Sequence, residues 1–234
     1  MYLIGGPAYC GTTLLTVMLN QDGITCLNEP DFHNPEQSHN GLPVLQKLYP
    51  GKEFPERTEE ALSYVEAFRL MQRCERAIEP DLLGFKFCNR PFVEFARLFK
   101  DAGLPVIAIV RDIRDALVRP LLPYINGEAG LVSEYRHVWA HRSLYGIVIR
   151  YEDLVFRSAA TIASVSATLD FPLKDRPCWD PDEVSASMLY PEERHGALKT
   201  GTIIKDRIGI WRHCGKTFGA ATHELALEMG YPAS

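Results

Sequence analysis

No stretch of this 234-residue chain approaches the roughly 18 consecutive apolar residues of a membrane-spanning helix, so no span is expected. There is no Cys-x-x-Cys pair. The six cysteines, Cys10, Cys26, Cys74, Cys88, Cys178 and Cys214, are scattered. That pattern argues against a disulfide framework and for free thiols in a reducing, cytoplasmic compartment. The first apolar run begins at Tyr2 and reads as a strand, so a signal peptide is not expected within this sequence. Positive charge is not in excess: 25 Lys and Arg face 30 Asp and Glu, a net charge of −5. A general nucleic-acid binder is therefore not expected, and any cationic site must be local. Internal repeats and low-complexity tracts are also missing. What remains is ample core material, 46% hydrophobic residues, for one α/β domain over residues 1–234.

The most informative stretch is the first. Tyr2-Leu3-Ile4 reads as a strand and Leu14-Leu15-Thr16-Val17-Met18-Leu19 as a helix. Between them lies Gly5-Gly6-Pro7-Ala8-Tyr9-Cys10-Gly11-Thr12-Thr13. The spacing from Gly6 to Gly11, followed by two hydroxyl residues, is that of a phosphate-binding loop. Glycines let backbone approach an anion, while the N–H groups of the turn and the helix start point at it. Thr12 and Thr13 add hydroxyl donors. A lysine after the second glycine would reach the outer phosphates of ATP; Thr12 stands there instead. The loop suits a phosphate but not ATP with magnesium.

Gly6 to Leu15 resembles the 5′-phosphosulfate loop of sulfotransferases that use 3′-phosphoadenosine 5′-phosphosulfate (PAPS), usually Pro-Lys/Arg-Ser-Gly-Thr-Thr. Pro7 sits two places early, and Tyr9 stands where the family often has Lys or Arg. The resemblance implies that Gly6, Pro7, Tyr9, Cys10, Gly11, Thr12 and Thr13 hold the donor, with the missing cation either supplied from elsewhere or absent.

Further along, Ile24-Thr25-Cys26-Leu27 reads as a second strand, which places Glu29 at a strand end, where ligands sit in open parallel sheets. Residues 34–57, rich in Pro, Gly and His, read as a long irregular loop, with a helix starting at Thr58-Glu59-Glu60. Leu82 to Cys88 reads as a strand carrying Lys86. A lysine there is costly unless it meets an anion or carboxylate; the alternative is a solvent-facing position on an edge strand. Many relatives of the resembled family have Gly-x-Lys here, facing the sulfo group.

Pro91 to Asp101 is an amphipathic helix. Leu104 to Val110 is continuously apolar, as a strand covered on both faces should be. It ends in Arg111-Asp112-Ile113-Arg114-Asp115-Ala116-Leu117-Val118-Arg119, similar to the family's Arg-Asp-Pro-Arg-Asp-Val-x-x-Ser. The resemblance assigns Arg111 to the 3′-phosphate, which a guanidinium can bind bidentately; an ion pair to Asp115 is the plainer alternative. Arg119 replaces the serine and is either a second phosphate contact or a solvated helix residue.

Gly130 to Tyr145 reads as a helix. His137 and His141 lie four apart there, but no third ligand is visible and no metal is expected. Ile147 to Arg150 is a strand leading into Tyr151-Glu152-Asp153-Leu154, a third resemblance; Tyr151 is expected to hold the sheet edge near the nucleotide. Arg157 to Leu169 is a helix. Residues 172–204 read as loop. From Lys199 to Lys216 there are five Lys or Arg against one acid. Within this stretch Arg207, Gly209, Trp211 and Arg212 resemble the family's Gly-x-Trp-Lys/Arg segment that closes over the nucleotide. Gly215 to Met229 reads as the last helix.

These readings predict a three-layer α/β/α fold with a central parallel sheet. The resemblance implies PAPS-dependent sulfo transfer to a hydroxyl or amine of a small-molecule or glycan acceptor, with 3′,5′-adenosine diphosphate (PAP) as product and no metal. Glu29 is the expected general base, His33 and His39 its competitors, and Lys86 the expected cation at the reacting centre. A P-loop kinase of small molecules and a non-catalytic nucleotide-binding module are the alternatives.

Overall fold

The computed structural model describes residues 1–30, 32, 41–56, 61–120, 125–180 and 201–233. Five strands form one parallel sheet: β1 (Tyr2–Gly6), β2 (Ile24–Asn28), β3 (Leu82–Cys88), β4 (Val106–Val110) and β5 (Ile147–Arg150). Their order is β2-β3-β1-β4-β5, and all four pairings are parallel. The chain runs outward from β1 to β2, returns through β3, and crosses to β4 on the other side. The carboxyl end of β1 is thus the topological switch point, where open α/β sheets bind ligands.

The strands are apolar on both faces because both faces are covered. On one face Leu3, Leu83, Phe85, Phe87 and Ala108 pack on α3 (Tyr64–Ile78) and α4 (Asn89–Asp101). Phe92, Phe95 and Phe99, at helical spacing along α4, are fully buried there. On the other face Tyr2, Ile4, Cys26, Ile107 and Ile109 meet α1 (Thr12–Leu19) and the pair α7 (Tyr151–Phe156) and α8 (Ser158–Leu169). The expected three-layer α/β/α arrangement is therefore present. A further cluster joins α5 (Ile113–Leu117), α6 (Gly127–Ala140) and α9 (Ala220–Glu228) around Val110, Leu131 and Leu225.

Several boundaries depart from the sequence reading. Within 34–57, a helix, α2 (Leu42–Leu48), buries Leu42, Val44 and Leu45. Pro43 lies in its first turn, where a missing N–H costs nothing, so the proline that suggests a loop is compatible with a helix. Residues 57–60 lie outside the described residues. The helix that follows starts at Tyr64, where Ser63 and Glu66 form a capping box. α6 begins at Gly127 and closes with a 3-10 turn, Arg142–Leu144. α9 begins at Ala220 rather than Gly215. The Glu128 carboxylate fixes that start by accepting from Gly219 N at 2.7 Å and from the Thr222 hydroxyl. Among the described residues, no helix is long and apolar enough to cross a membrane.

Candidate active site

The loop after β1 is shaped by what surrounds it. Gly11 has φ +100°, and a Cβ there would strike the Tyr151 ring; a Cβ on Gly6 would strike the Ile109 carbonyl and Cys10 Sγ. Both positions therefore require glycine for close approach, and Gly11 also for its left-handed conformation. Tyr9 also takes a left-handed conformation, φ 65°. Asn89, just after β3, pins the loop by accepting from Ala8 N at 2.8 Å. Thr12 opens α1. Its N-cap, Gly11, has no side chain to offer, and the first N–H groups of the helix lack intrahelical partners at the sheet edge. Thr12 Oγ1 lies 3.5 Å from Cys88 Sγ.

One strand over, Lys86 is only 2% exposed, and its Nζ donates to Glu29 Oε1 at 2.6 Å. β3 is an interior strand, so the solvent-facing edge position does not apply to Lys86. Glu29 directly follows β2 at φ 48°, and its N–H donates to the Lys86 carbonyl at 2.8 Å. The carboxylate is 35% exposed. The ion pair thus has a buried cation and an accessible base. Beside it, burial pushes the Cys88 thiol up to about 11, which keeps it a neutral lining group near neutral pH. Asn28, the last residue of β2, is 2% exposed and pairs in register with Lys86. His33 and His39 lie outside the described residues.

On the other side of β1, Arg111 follows β4 and is 1% exposed. Its guanidinium lies 4.5 Å from the Tyr151 ring centre, so one tyrosine touches both the loop glycine and this arginine. Arg111 donates to the Arg207 carbonyl and stands 3.9 Å from Asp115, but its buried Nε has no hydrogen-bond partner among the described residues. Arg119 lies past the end of α5, half-buried, with its guanidinium 5.5 Å from the Tyr9 ring centre. It is not a solvated helix residue. Burial lowers its pKa, and the nearby Arg207 and Arg111 guanidinium groups lower it further. Three guanidinium groups thus converge beside the loop, raising the local positive potential in an acidic chain.

The segment 207–212 is anchored to this cluster through residues that the sequence reading gave no such role. Asp115 accepts from Gly209 N at 2.7 Å and from Trp211 N at 3.2 Å. Burial raises the pKa of Asp115 despite these donors. Arg114 is fully buried and bonds both oxygens of Asp112, at 2.9 and 2.7 Å. It also donates to the Pro232 carbonyl at 2.7 Å, with its guanidinium 3.8 Å from the Trp211 ring centre. Trp211 sits in a 3-10 turn, Ile210–Arg212, and Arg212 lies exposed on the indole at 4.6 Å. The only sequence signal for Asp115 and Arg114 is their place in the 111–119 motif. Lys199 lies outside the described residues.

His137 and His141 are neighbours, their ring centres 4.8 Å apart. His141 Nε2 faces Arg97 at 2.8 Å. Among the described residues, no group of three or more His, Cys, Asp or Glu is arranged to hold a metal ion.

Neither protein-family models nor curated protein sequences yield a match to the chain. Solved structures do. The sulfotransferase domain from the curacin biosynthetic pathway aligns with TM-score 0.69 and 16% identity, covering 99% of this chain and 98% of that one. The sulfotransferase domain from the Synechococcus PCC 7002 olefin synthase aligns with TM-score 0.61 and 18% identity, over 99% and 94%. Mouse sulfotransferase SULT7A1, solved with PAP, aligns with TM-score 0.45 and 15% identity, over 95% and 80%. The chain has the sulfotransferase fold.

Proposed function

We propose that the protein is a PAPS-dependent sulfotransferase acting on a hydroxyl or amine of a small-molecule or glycan acceptor. The observation that carries this reading is the juxtaposition of the buried Lys86 ammonium and the accessible Glu29 carboxylate, one strand from the Gly6–Thr13 loop. In this reading the loop amides, Thr12 and Thr13 bind the 5′-phosphosulfate. Arg111 and Arg119, with Arg207, bind the 3′-phosphate, and the 207–212 segment closes the nucleotide site. The acceptor oxygen or nitrogen forms a bond to sulfur as the bond from sulfur to the 5′-phosphate oxygen breaks. That electron pair stays on PAP, and the acceptor proton passes to Glu29. Lys86 neutralises charge on the sulfo group and leaving phosphate; positioning and electrostatics do the rest. Neither step calls on a metal. The free thiols fit a cytoplasmic location.

The test is nucleotide-dependent stability followed by sulfo transfer from radiolabelled PAPS to a panel of acceptors. PAP at 100 times its dissociation constant stabilises by about 2.7 kcal/mol, roughly 5–11 °C in Tm for a chain of this size. Stabilisation by ATP with magnesium but not by PAP would favour the kinase reading. PAP binding with no transfer to any acceptor would favour a non-catalytic module.

A further inference from the structure

Asn28 is a buried polar residue without a structural explanation. It ends β2 at 2% exposure, and neither Oδ1 nor Nδ2 has a hydrogen-bond partner among the described residues. A buried amide left unpaired is costly, and an apolar residue of similar shape would avoid the cost. Strand alternation fixes which way it faces. Leu27 belongs to the cluster under α3 and α4, whereas Cys26 belongs to the cluster under α1. Asn28, two residues beyond Cys26, faces α1. Its level along the helix follows from a neighbouring contact. Cys26 Sγ lies 4.0 Å from Thr16 Oγ1. Two residues along a strand rise about 6.6 Å, and four residues along a helix about 6 Å. Asn28 therefore stands level with Thr12, at the first turn of α1, where the helix amides lack intrahelical acceptors. On its other flank it pairs in register with Lys86.

We infer that Asn28 is a substrate-contacting residue whose Nδ2 donates to an oxygen of the transferring sulfo group, between the α1 amides and the Lys86 ammonium. This rests on the sulfotransferase reading above. The sulfo group is the part of the donor absent from PAP, so the contact distinguishes PAPS from its product. As the sulfur moves to the acceptor, the amide stays with the sulfo oxygen and transfers no proton itself.

The experiment compares dissociation constants for PAP and for PAPS without acceptor, together with turnover, in wild type, Asn28→Asp and Asn28→Leu. Asn28→Asp is nearly isosteric and sets a carboxylate against the sulfo oxygens; it carries the test if Asn28→Leu does not fold. The expected result is PAP affinity within twofold of wild type, PAPS affinity lowered about tenfold or more, most in Asn28→Asp, and turnover lowered at least as far. Equal losses for PAP and PAPS, or unchanged PAPS affinity and turnover, overturn the inference. Wild-type protein that binds neither nucleotide defeats the sulfotransferase reading itself and this inference with it. Wild-type binding with unaltered variants defeats the inference alone.

Discussion

The Lys86–Glu29 pair makes an asymmetric prediction about stability. Its two ends differ in access to water: the Lys86 side chain is 2% exposed and the Glu29 side chain 35%. Removing one member of a buried pair costs about 3–5 kcal/mol when the other charge is left buried and uncompensated. Glu29→Ala does this to Lys86, although water entering the vacated space moderates the loss, so about 3 kcal/mol is expected. Lys86→Met leaves a carboxylate that rehydrates; its expected cost is about 1 kcal/mol or less, as for exposed pairs. The double variant Glu29→Ala/Lys86→Met has no buried charge and should recover most of the loss, within about 1 kcal/mol of wild type. The backbone adds little to the comparison, because Glu and Ala are similarly strained at the φ of 48°. Urea unfolding with a shared m-value reads these differences directly. A loss of 3 kcal/mol also lowers Tm by roughly 6–12 °C. Glu29→Gln retains an acceptor for Lys86 and should fold well, yet lose about 10²–10⁴-fold in turnover if Glu29 is the general base. The reasoning fails if Lys86→Met is as damaging as Glu29→Ala, or if the double variant is no more stable than Glu29→Ala.

Arg111→Ala should weaken PAP far more than 5′-AMP, by about 1.5–3 kcal/mol for a lost charge-assisted contact; calorimetry showing equal losses would make Arg111 structural. Asp115→Asn keeps one acceptor oxygen but loses the charge that holds both Gly209 and Trp211. It should cost about 1–3 kcal/mol locally, seen as faster tryptic cleavage at Lys205 and Arg207 and weaker PAP binding with the core Tm nearly unchanged. An unchanged cleavage rate would show that the segment is held by other contacts. His137 has its pKa lowered by burial and then by His141, so the folded state favours its neutral form. Its contribution is present above the ordinary histidine value of about 6.5 and is lost as pH falls through the lower folded value. The urea midpoint should drop less between pH 7.5 and 5.5 in His137→Gln than in wild type; an identical drop assigns the acid sensitivity to other groups.

The sheet was legible because its strands are nearly continuous apolar runs, and the loop because glycines and threonines sit at a spacing that anion binding demands. What could not be read depends on distant partners. Nothing local to Gly215–Gly219 says that the helix waits until Ala220, because Glu128, about ninety residues away, supplies its cap. Pro43 reads as a breaker unless its position in a first turn is known. Lys86 was recognisable as costly in a strand, but Glu29 as its partner follows only from the parallel pairing of β2 with β3. Asn28 is a polar end to a strand, unremarkable in sequence; it stands out only once its burial and unpaired amide are known. Asp115 and Arg114 sit in the Arg111 motif, and the fold shows that they also hold Gly209, Trp211 and the Pro232 carbonyl.

Two departures from the resembled family pattern turn out to be one contact. Tyr9 stands where a loop cation is usual and Arg119 where a serine is usual, 110 positions apart in the chain. In the fold the Arg119 guanidinium lies 5.5 Å from the Tyr9 ring centre, within cation–π range. A tyrosine cannot supply the missing charge, but its ring can seat one brought from the end of α5. The loop therefore keeps a cation beside it although its own sequence carries none. Near neutral pH the charge is permanent, because a guanidinium retains its proton even when burial and like charges lower its pKa. Burial and repulsion from Arg111 and Arg207 make this cluster costly in isolation, a cost that the proposed nucleotide phosphate would offset. The same logic applies across β1, where Lys86 is buried but held by Glu29. The chain thus keeps cations on both sides of a neutral loop, each seated by a neighbour, while its overall charge stays negative.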